Sequence, residues 1–355
     1  MDLTSLLGID RPIVLGPFGG MSSVPLTAAV SEAGGLGSYG LYGLGPDRIS
    51  AVAAELRERT SRPFALNLWL PFRRAGEPEP GAPFDWADYD RAVDGLRPLF
   101  EETGAAEPAW PVPPLPDFDE QLDAVLEARP AVLSVIFGVP SPELVEEAHR
   151  RDIRVVGAAT TVPEAVALQE GGVDAVVASG AEAAGHRPSF LADPEDSLVG
   201  GFSLIPQVVD AVDVPVIAAG GIADRRGVAA AFALGASAVQ VGSAFLATQE
   251  SAAPSVHRDR IRSAQAHETV LTRAMSGRTA RGLPNRAVRT IEQTGTIAPF
   301  PLQNILTGAF RRPASQQGRE ELLSLWMGQS AGLARLDTAA AVFAELAAGV
   351  PDARG

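Results

Sequence analysis

Short apolar runs of strand length recur along the first two-thirds of the chain, and their number restricts the fold more than any other feature. They lie at 12–15, 36–39, 64–68, 132–136, 155–158, 175–178, 216–219 and 238–241. Their starts are separated by roughly 24, 28, 68, 23, 20, 41 and 22 residues, and most of these gaps hold one strand plus one helix. The intervening segments open on cap residues: Ser23 ahead of Pro25, Asp117, Ser141, and Thr161 with Glu164 at capping-box spacing. Gly34–Gly35 and Gly171–Gly172 stop two of them. Eight alternating units predict a closed (β/α)8 TIM barrel, because an open doubly wound sheet usually ends at about five or six strands.

The two oversized gaps matter for function, since loops after the strands lie at the face where barrel enzymes assemble their sites. The first, a proline-rich insertion at 71–116 after the third strand, reads as an extended flap around one short helix near 88–101, or as a tolerated surface insertion. The second follows the sixth strand and carries His186. The barrel is expected over 1–250. Past it the alternation stops, and SAAPSVHRDRIRSAQ, REELLSLWMGQSAGL and DTAAAVFAELAAG read as helices. Residues 251–355 are therefore expected to form a smaller, mainly helical C-terminal domain over the barrel mouth.

Charge and residue usage narrow the partners. With 29 Lys and Arg against 43 Asp and Glu, the net charge of −14 disfavours nucleic acid and anionic lipid, so the expected partner is a small molecule. No apolar run has membrane-spanning length, and MDLTSLLGIDRP lacks the parts of a signal peptide, which predicts a cytoplasmic location. There is no cysteine for a thiolate nucleophile, and none of the four histidines pairs with another at ligand spacing, so no metal site is expected. His149, near the end of an apparent helix, suits a surface dipole role.

The glycine loops point to a ligand. Gly220–Gly221 follows the seventh apolar run and Gln240-Val241-Gly242-Ser243 the eighth, each ahead of an apparent helix. Loops at these two positions form the recurrent phosphate site of barrels, where backbone N–H groups approach the oxygens. A single Gly-Gly before a helix would mean only a tight turn. Gly19, Gly20 and Met21 after the first strand, with Asn67 closing the third, suit the face and edge of an aromatic ring system. Core filling for Met21 and a strand-end turn for Asn67 are the plainer alternatives. After the sixth strand, Gly180 and Gly185 leave room for close approach and His186 adds a group that titrates near neutral pH.

These pieces resemble the flavin mononucleotide (FMN)-dependent nitronate monooxygenases, formerly called 2-nitropropane dioxygenases. The resemblance runs over nearly the whole chain: GPFGGMSSVPLTAAVSEAGGLG at 16–37, FALNLWLP at 64–71, SGAEAAGHRPSF at 179–190, PVIAAGGIAD at 215–224, QVGSAFLATQES at 240–251, SGRTARGLPN at 276–285 and WMGQSAGL at 326–333. It implies that Asn67, Ser179, Ala184, Gly221 and the Gln240–Ser243 turn contact FMN, with Gly221, Gly242 and Ser243 at its phosphate, and that His186 is the active-site histidine. Ser179 stands where the family commonly has Gln, and Ala184 and Pro188 where it has Gly; Ser243 for Thr keeps a hydroxyl.

The implied reaction is oxidation of an alkyl nitronate, or a nitroalkane, by O2 to a carbonyl compound and nitrite. His186 would act as base on a neutral nitroalkane or as a donor to the nitro oxygens. Arg278 and Arg281 lie in a basic turn that suits a carboxylated substrate, the phosphate or plain solvation. Gln329 is expected to line the site and Trp326 to fill core. A flavin reductase of the same fold using NADH or NADPH, and a flavin-binding barrel without activity, remain the alternatives. A homodimer is compatible with either.

Overall fold

The computed structural model describes residues 2–72 and 85–351; residues 73–84 of the proline-rich insertion lie outside the described residues. Eight parallel strands form one sheet in the order β1-β9-β8-β6-β5-β4-β3-β2. These are β1 (Ile13–Leu15), β2 (Gly37–Gly40), β3 (Phe64–Trp69), β4 (Val132–Ile136), β5 (Arg154–Ala159), β6 (Ala175–Ser179), β8 (Val216–Ala219) and β9 (Ala238–Val241). A bridge between Val14 and Leu36 joins the two ends, with Leu15 N–H donating to Leu36 and Leu36 N–H to Ile13, both at 2.9 Å. That seam makes the sheet a barrel, and all eight apolar runs are strands in it.

Side-chain alternation sorts each strand into an inner and an outer row. Val14, Leu36, Ala65, Val132, Val156, Val177, Ile217 and Ala238 pack inside, over Leu3 and Leu7 of a short N-terminal helix (Leu3–Leu7). Ile13, Leu15, Leu66, Val155, Val176 and Val239 face the surrounding helices. At the C-terminal ends the inner row becomes polar or small, with Asn67, Ser179, Ala219 and Gln240 lining a cavity. The apolar rows hold the barrel together, and the change in the last position opens the site.

The expected caps are present. Ser23, Asp117 and Ser141 each accept from backbone N–H groups of the first helical turn. Glu164 departs from the capping-box expectation: Thr161 Oγ1 accepts from its N–H at 3.4 Å, but the carboxylate turns to Thr160 and to the loop beyond β6. The insertion contains a longer helix (Trp86–Thr103) than the short one expected.

After residue 250 the chain is mainly helical. The helices Ser255–Ser263 and Ala339–Ala347 occupy expected segments, whereas 319–333 is not a helix. It holds two 3-10 turns and a bridge from Trp326 to Gly282, because paired backbone at Gly282 competes with helix formation there. Two helices not read from the sequence, Arg286–Thr294 and Leu302–Gln316, pack on the insertion helix. The Ala339–Ala347 helix returns to the barrel beside β1, in the place of an eighth outer helix. A second small sheet pairs β7 (Gly185–His186) with β11 (Ala280–Gly282), and β11 with β10 (Val270–Thr272). No helix among the described residues is long and apolar enough to cross a membrane.

Candidate active site

A cavity of about 360 Å3 opens at the C-terminal ends of the strands. The loops after β1, β8 and β9 bring Gly19, Gly20, Met21, Gly220, Gly221, Gly242 and Ser243 to its wall. Asn67, Ser179 and Gln240 come from strand ends, and Ala184, Gly185 and His186 from the loop after β6. Most of the residues expected at the site are thus brought together.

Each wall has a local cause. Gly220 and Gly221 have φ of +92° and +75°, a backbone that favours glycine. A side chain on Gly220 would also meet the Ala183 amide nitrogen at 3.0 Å. Among the described residues, the N–H groups of Gly221 and Gly242 have no protein acceptor, so they remain available to an anion. Helix dipoles add little to this anion site. The helix after β8 (Arg225–Ala233) is already capped by Asp224, which accepts from Arg226 and Gly227 N–H, and the helix after β9 is a single turn (Ser243–Leu246). Asn67 donates its Nδ2 to the Ser134 carbonyl at 3.1 Å and hydroxyl at 3.0 Å, which leaves Oδ1 as its acceptor.

His186 is fixed from several sides. Its strand pairs with Ala280, its ring lies 5.0 Å from Trp69 and 5.7 Å from Trp326 between centroids, and Nε2 is 2.8 Å from Ser276 Oγ. The Ser276 hydroxyl donates to the Arg278 carbonyl at 3.0 Å, so it accepts from Nε2–H, and Nδ1 carries the lone pair. The residue is half-buried and lines the cavity. Burial foremost, then the Arg278 and Arg311 guanidinium groups, pushes its pKa down to about 3. The imidazole is therefore neutral at physiological pH.

The loop itself hangs on two buried charges. Arg187, 2% exposed, donates to the Gly180 carbonyl at 2.7 Å and the Ser197 carbonyl at 3.2 Å. Glu164, fully buried, accepts from the N–H groups of Phe190 and Leu191 at 2.6 and 3.1 Å.

Several expected site residues lie elsewhere. Gly180 and Val241 are not on the cavity wall: the first serves Arg187 and the second is buried between barrel and helices. Arg281 donates to the Ala181 carbonyl at 2.8 Å and to Thr269, so it ties β11 to the histidine loop instead of meeting solvent or substrate. Arg278 is buried against the Phe300 ring at 4.4 Å and donates to the Phe72 carbonyl at 2.6 Å, behind the wall. Gln329 is displaced from the lining, which its neighbours Gly328 and Ser330 supply; its N–H donates to the Glu182 carbonyl at 3.0 Å. Trp326 packs against the core as expected and also lines the cavity. Tyr42, Trp69, Asn304 and Arg311 also line it and were not found from the sequence. One signal was available: Asn304 and Arg311 stand two turns apart on one helix face.

Compared with known families, the model for nitronate monooxygenase matches residues 1–349. The chain belongs to the nitronate monooxygenase family. It is 37% identical over 335 residues to a probable nitronate monooxygenase of Staphylococcus aureus strain Newman, covering 94% of this chain and 92% of the relative. Among solved structures it is similar to nitroalkane oxidase from Streptomyces ansochromogenes, with a TM-score of 0.87, 35% identity, and coverage of 98% of this chain and 96% of that one. FabK from Thermotoga maritima superposes with a TM-score of 0.74 at 32% identity, covering 97% and 94%. Membership in this family makes the chain an oxidoreductase acting on a small molecule, and the barrel is the one that its relatives share.

Proposed function

We propose that the chain is an FMN-dependent nitronate monooxygenase that oxidises alkyl nitronates with O2 to a carbonyl compound and nitrite, and admits neutral nitroalkanes through His186 as their base. The observation that carries the reading is the joining, in one cavity, of anion-accepting loop amides at Gly221 and Gly242 with a neutral imidazole at His186.

FMN fits the residues present. Gly220, Gly221, Gly242 and Ser243 would hold the phosphate, and Gly19, Gly20 and Met21 with Asn67, Ser179, Ala184, Gly185 and Gln240 would surround the ring system. Bound FMN supplies the acceptance of electrons from the nitronate and their passage to O2. The protein's own residues bind, orient and move one proton. Nδ1 of His186 takes the α-proton of a neutral nitroalkane, while Ser276 keeps the ring in the tautomer that leaves Nδ1 basic. Trp69 and Trp326 flank the imidazole and restrict water.

A visible absorption spectrum of the purified protein, followed by oxygen uptake with ethyl nitronate, tests the reading. A flavin spectrum and nitrite release matched to oxygen uptake are expected. A flavin rapidly bleached by NADH and untouched by nitronate would replace the proposal with a reductase.

A further inference from the structure

Beside His186 the cavity holds a hydrogen-bonded chain that the reaction above does not use. Arg311 Nη2 lies 2.7 Å from Asn304 Oδ1 and 3.0 Å from the Asn304 carbonyl, and Asn304 Nδ2 lies 3.1 Å from the Tyr42 hydroxyl. The directions are fixed by chemistry. A guanidinium only donates, so the amide atom facing it is the oxygen and the atom facing Tyr42 is the NH2 group. Tyr42 therefore accepts from Asn304, and its own O–H proton is left for an acceptor in the cavity. Among the described residues nothing in the protein accepts it.

The charge in this chain is also uncompensated. No carboxylate pairs with Arg311 among the described residues; its other partner is the Ser324 hydroxyl at 2.9 Å, and its buried Nε has no partner. A half-buried cation without a counter-charge favours a ligand that supplies one. Tyr42 is held against Trp69 with ring centroids 4.3 Å apart, and Trp69 lies 5.0 Å from His186, so the hydroxyl and the imidazole flank one aromatic ring.

We propose that Tyr42, Asn304 and Arg311 form a subsite for a planar oxyanion group of the substrate, in which Tyr42 O–H is the direct donor and Arg311 supplies the charge. Two groups share that chemistry, the nitronate head and a carboxylate on the substrate's tail. The assignment of substrate rests on the proposed activity; the anion subsite does not.

Sodium nitrate, a planar oxyanion of similar shape, is the probe, titrated calorimetrically into the FMN-loaded protein. Saturable binding is expected, weakened about tenfold in Tyr42→Phe and at least as much in Arg311→Gln. Tyr42→Phe keeps the ring packing, so it answers even where the arginine variant folds poorly. Kinetics on ethyl nitronate and on propionate 3-nitronate then separate the sources. Equal losses of kcat/KM on both assign the nitronate head, and a loss confined to the second assigns the carboxylate. Nitrate binding unchanged in Tyr42→Phe, or no saturable binding by the unmodified protein, would overturn the subsite. Normal nitrate binding without turnover of any nitronate would instead sink the activity and leave the subsite standing.

Discussion

Replacing Glu164 with Ala tests whether a buried carboxylate holds the histidine loop on the barrel. Its Oε1 accepts from Phe190 and Leu191 N–H, and its Oε2 from Thr160 N–H and Thr160 Oγ1, both at 2.7 Å. The threonine hydroxyl keeps a second partner, Ser189 Oγ at 3.0 Å, so three backbone donors are left without an acceptor. Leu191 is 58% exposed and its N–H can turn to solvent, whereas an unpaired buried donor at Thr160 or Phe190 costs about 1–3 kcal/mol. Water entering the freed space recovers part of this, which leaves roughly 2–4 kcal/mol as the expected loss. At about 2 °C per kcal/mol for a chain of this size, the melting temperature by calorimetry should fall by roughly 4–8 °C. Glu164→Gln should lose about half as much, since its oxygen serves one pair of donors while its NH2 opposes the other. Both variants should also lose nitroalkane turnover at temperatures where they are folded, because Phe190 and Leu191 anchor the far end of the loop that carries His186. A Glu164→Ala protein melting within about 1 °C of the parent would show that these amides reach solvent in the native state, and the argument would fail.

Other outcomes follow from the same geometry. His186→Asn should abolish oxygen uptake with neutral nitroalkanes and impair nitronates less; undiminished nitroalkane activity would remove His186 as base. Gly221→Ala forces a side chain into φ +75°, a strain of about 1–2 kcal/mol, and should raise the FMN dissociation constant measured by flavin release; unchanged affinity would move the phosphate elsewhere. His257 donates to the Trp326 carbonyl at 3.0 Å, and burial pushes its pKa down to about 4 from the ordinary 6.5. The unfolded chain therefore binds the proton that the folded chain refuses, so stability should fall as pH drops from 6.5 toward 4, by up to about 1.4 kcal/mol per pH unit from this group. Denaturant midpoints across that window should show a shallower slope in His257→Gln; an equal slope would place the acid sensitivity elsewhere.

Much of this was legible in the sequence because it depends on local rules. Strand-length apolar runs at βα spacing give the barrel, and the ordinal position of Gly220–Gly221 and Gly242–Ser243 gives the anion loops. What escaped depends on contacts between distant segments. Arg278 and Arg281 sit in a basic turn that suggests solvent or substrate, yet pairing of β11 with β7 buries both, one against Phe300 and one against Ala181. Trp326 packs against the core as expected, and the bridge to Gly282 also sets it on the cavity wall. Tyr42 meets Asn304, and through it Arg311, across 262 residues of chain, a separation that no periodicity records. Glu164 has the spacing of a capping box, and only the fold reveals that its carboxylate serves another loop.

The central claim is that a flavin in the barrel mouth takes electrons from a nitronate beside His186. Anaerobic stopped-flow mixing of the FMN-loaded protein with ethyl nitronate measures this most directly. The account predicts loss of the oxidised flavin absorbance within the time of one turnover, recovery when O2 is admitted, and little change with NADH. Fast reduction by NADH with none by nitronate would contradict it.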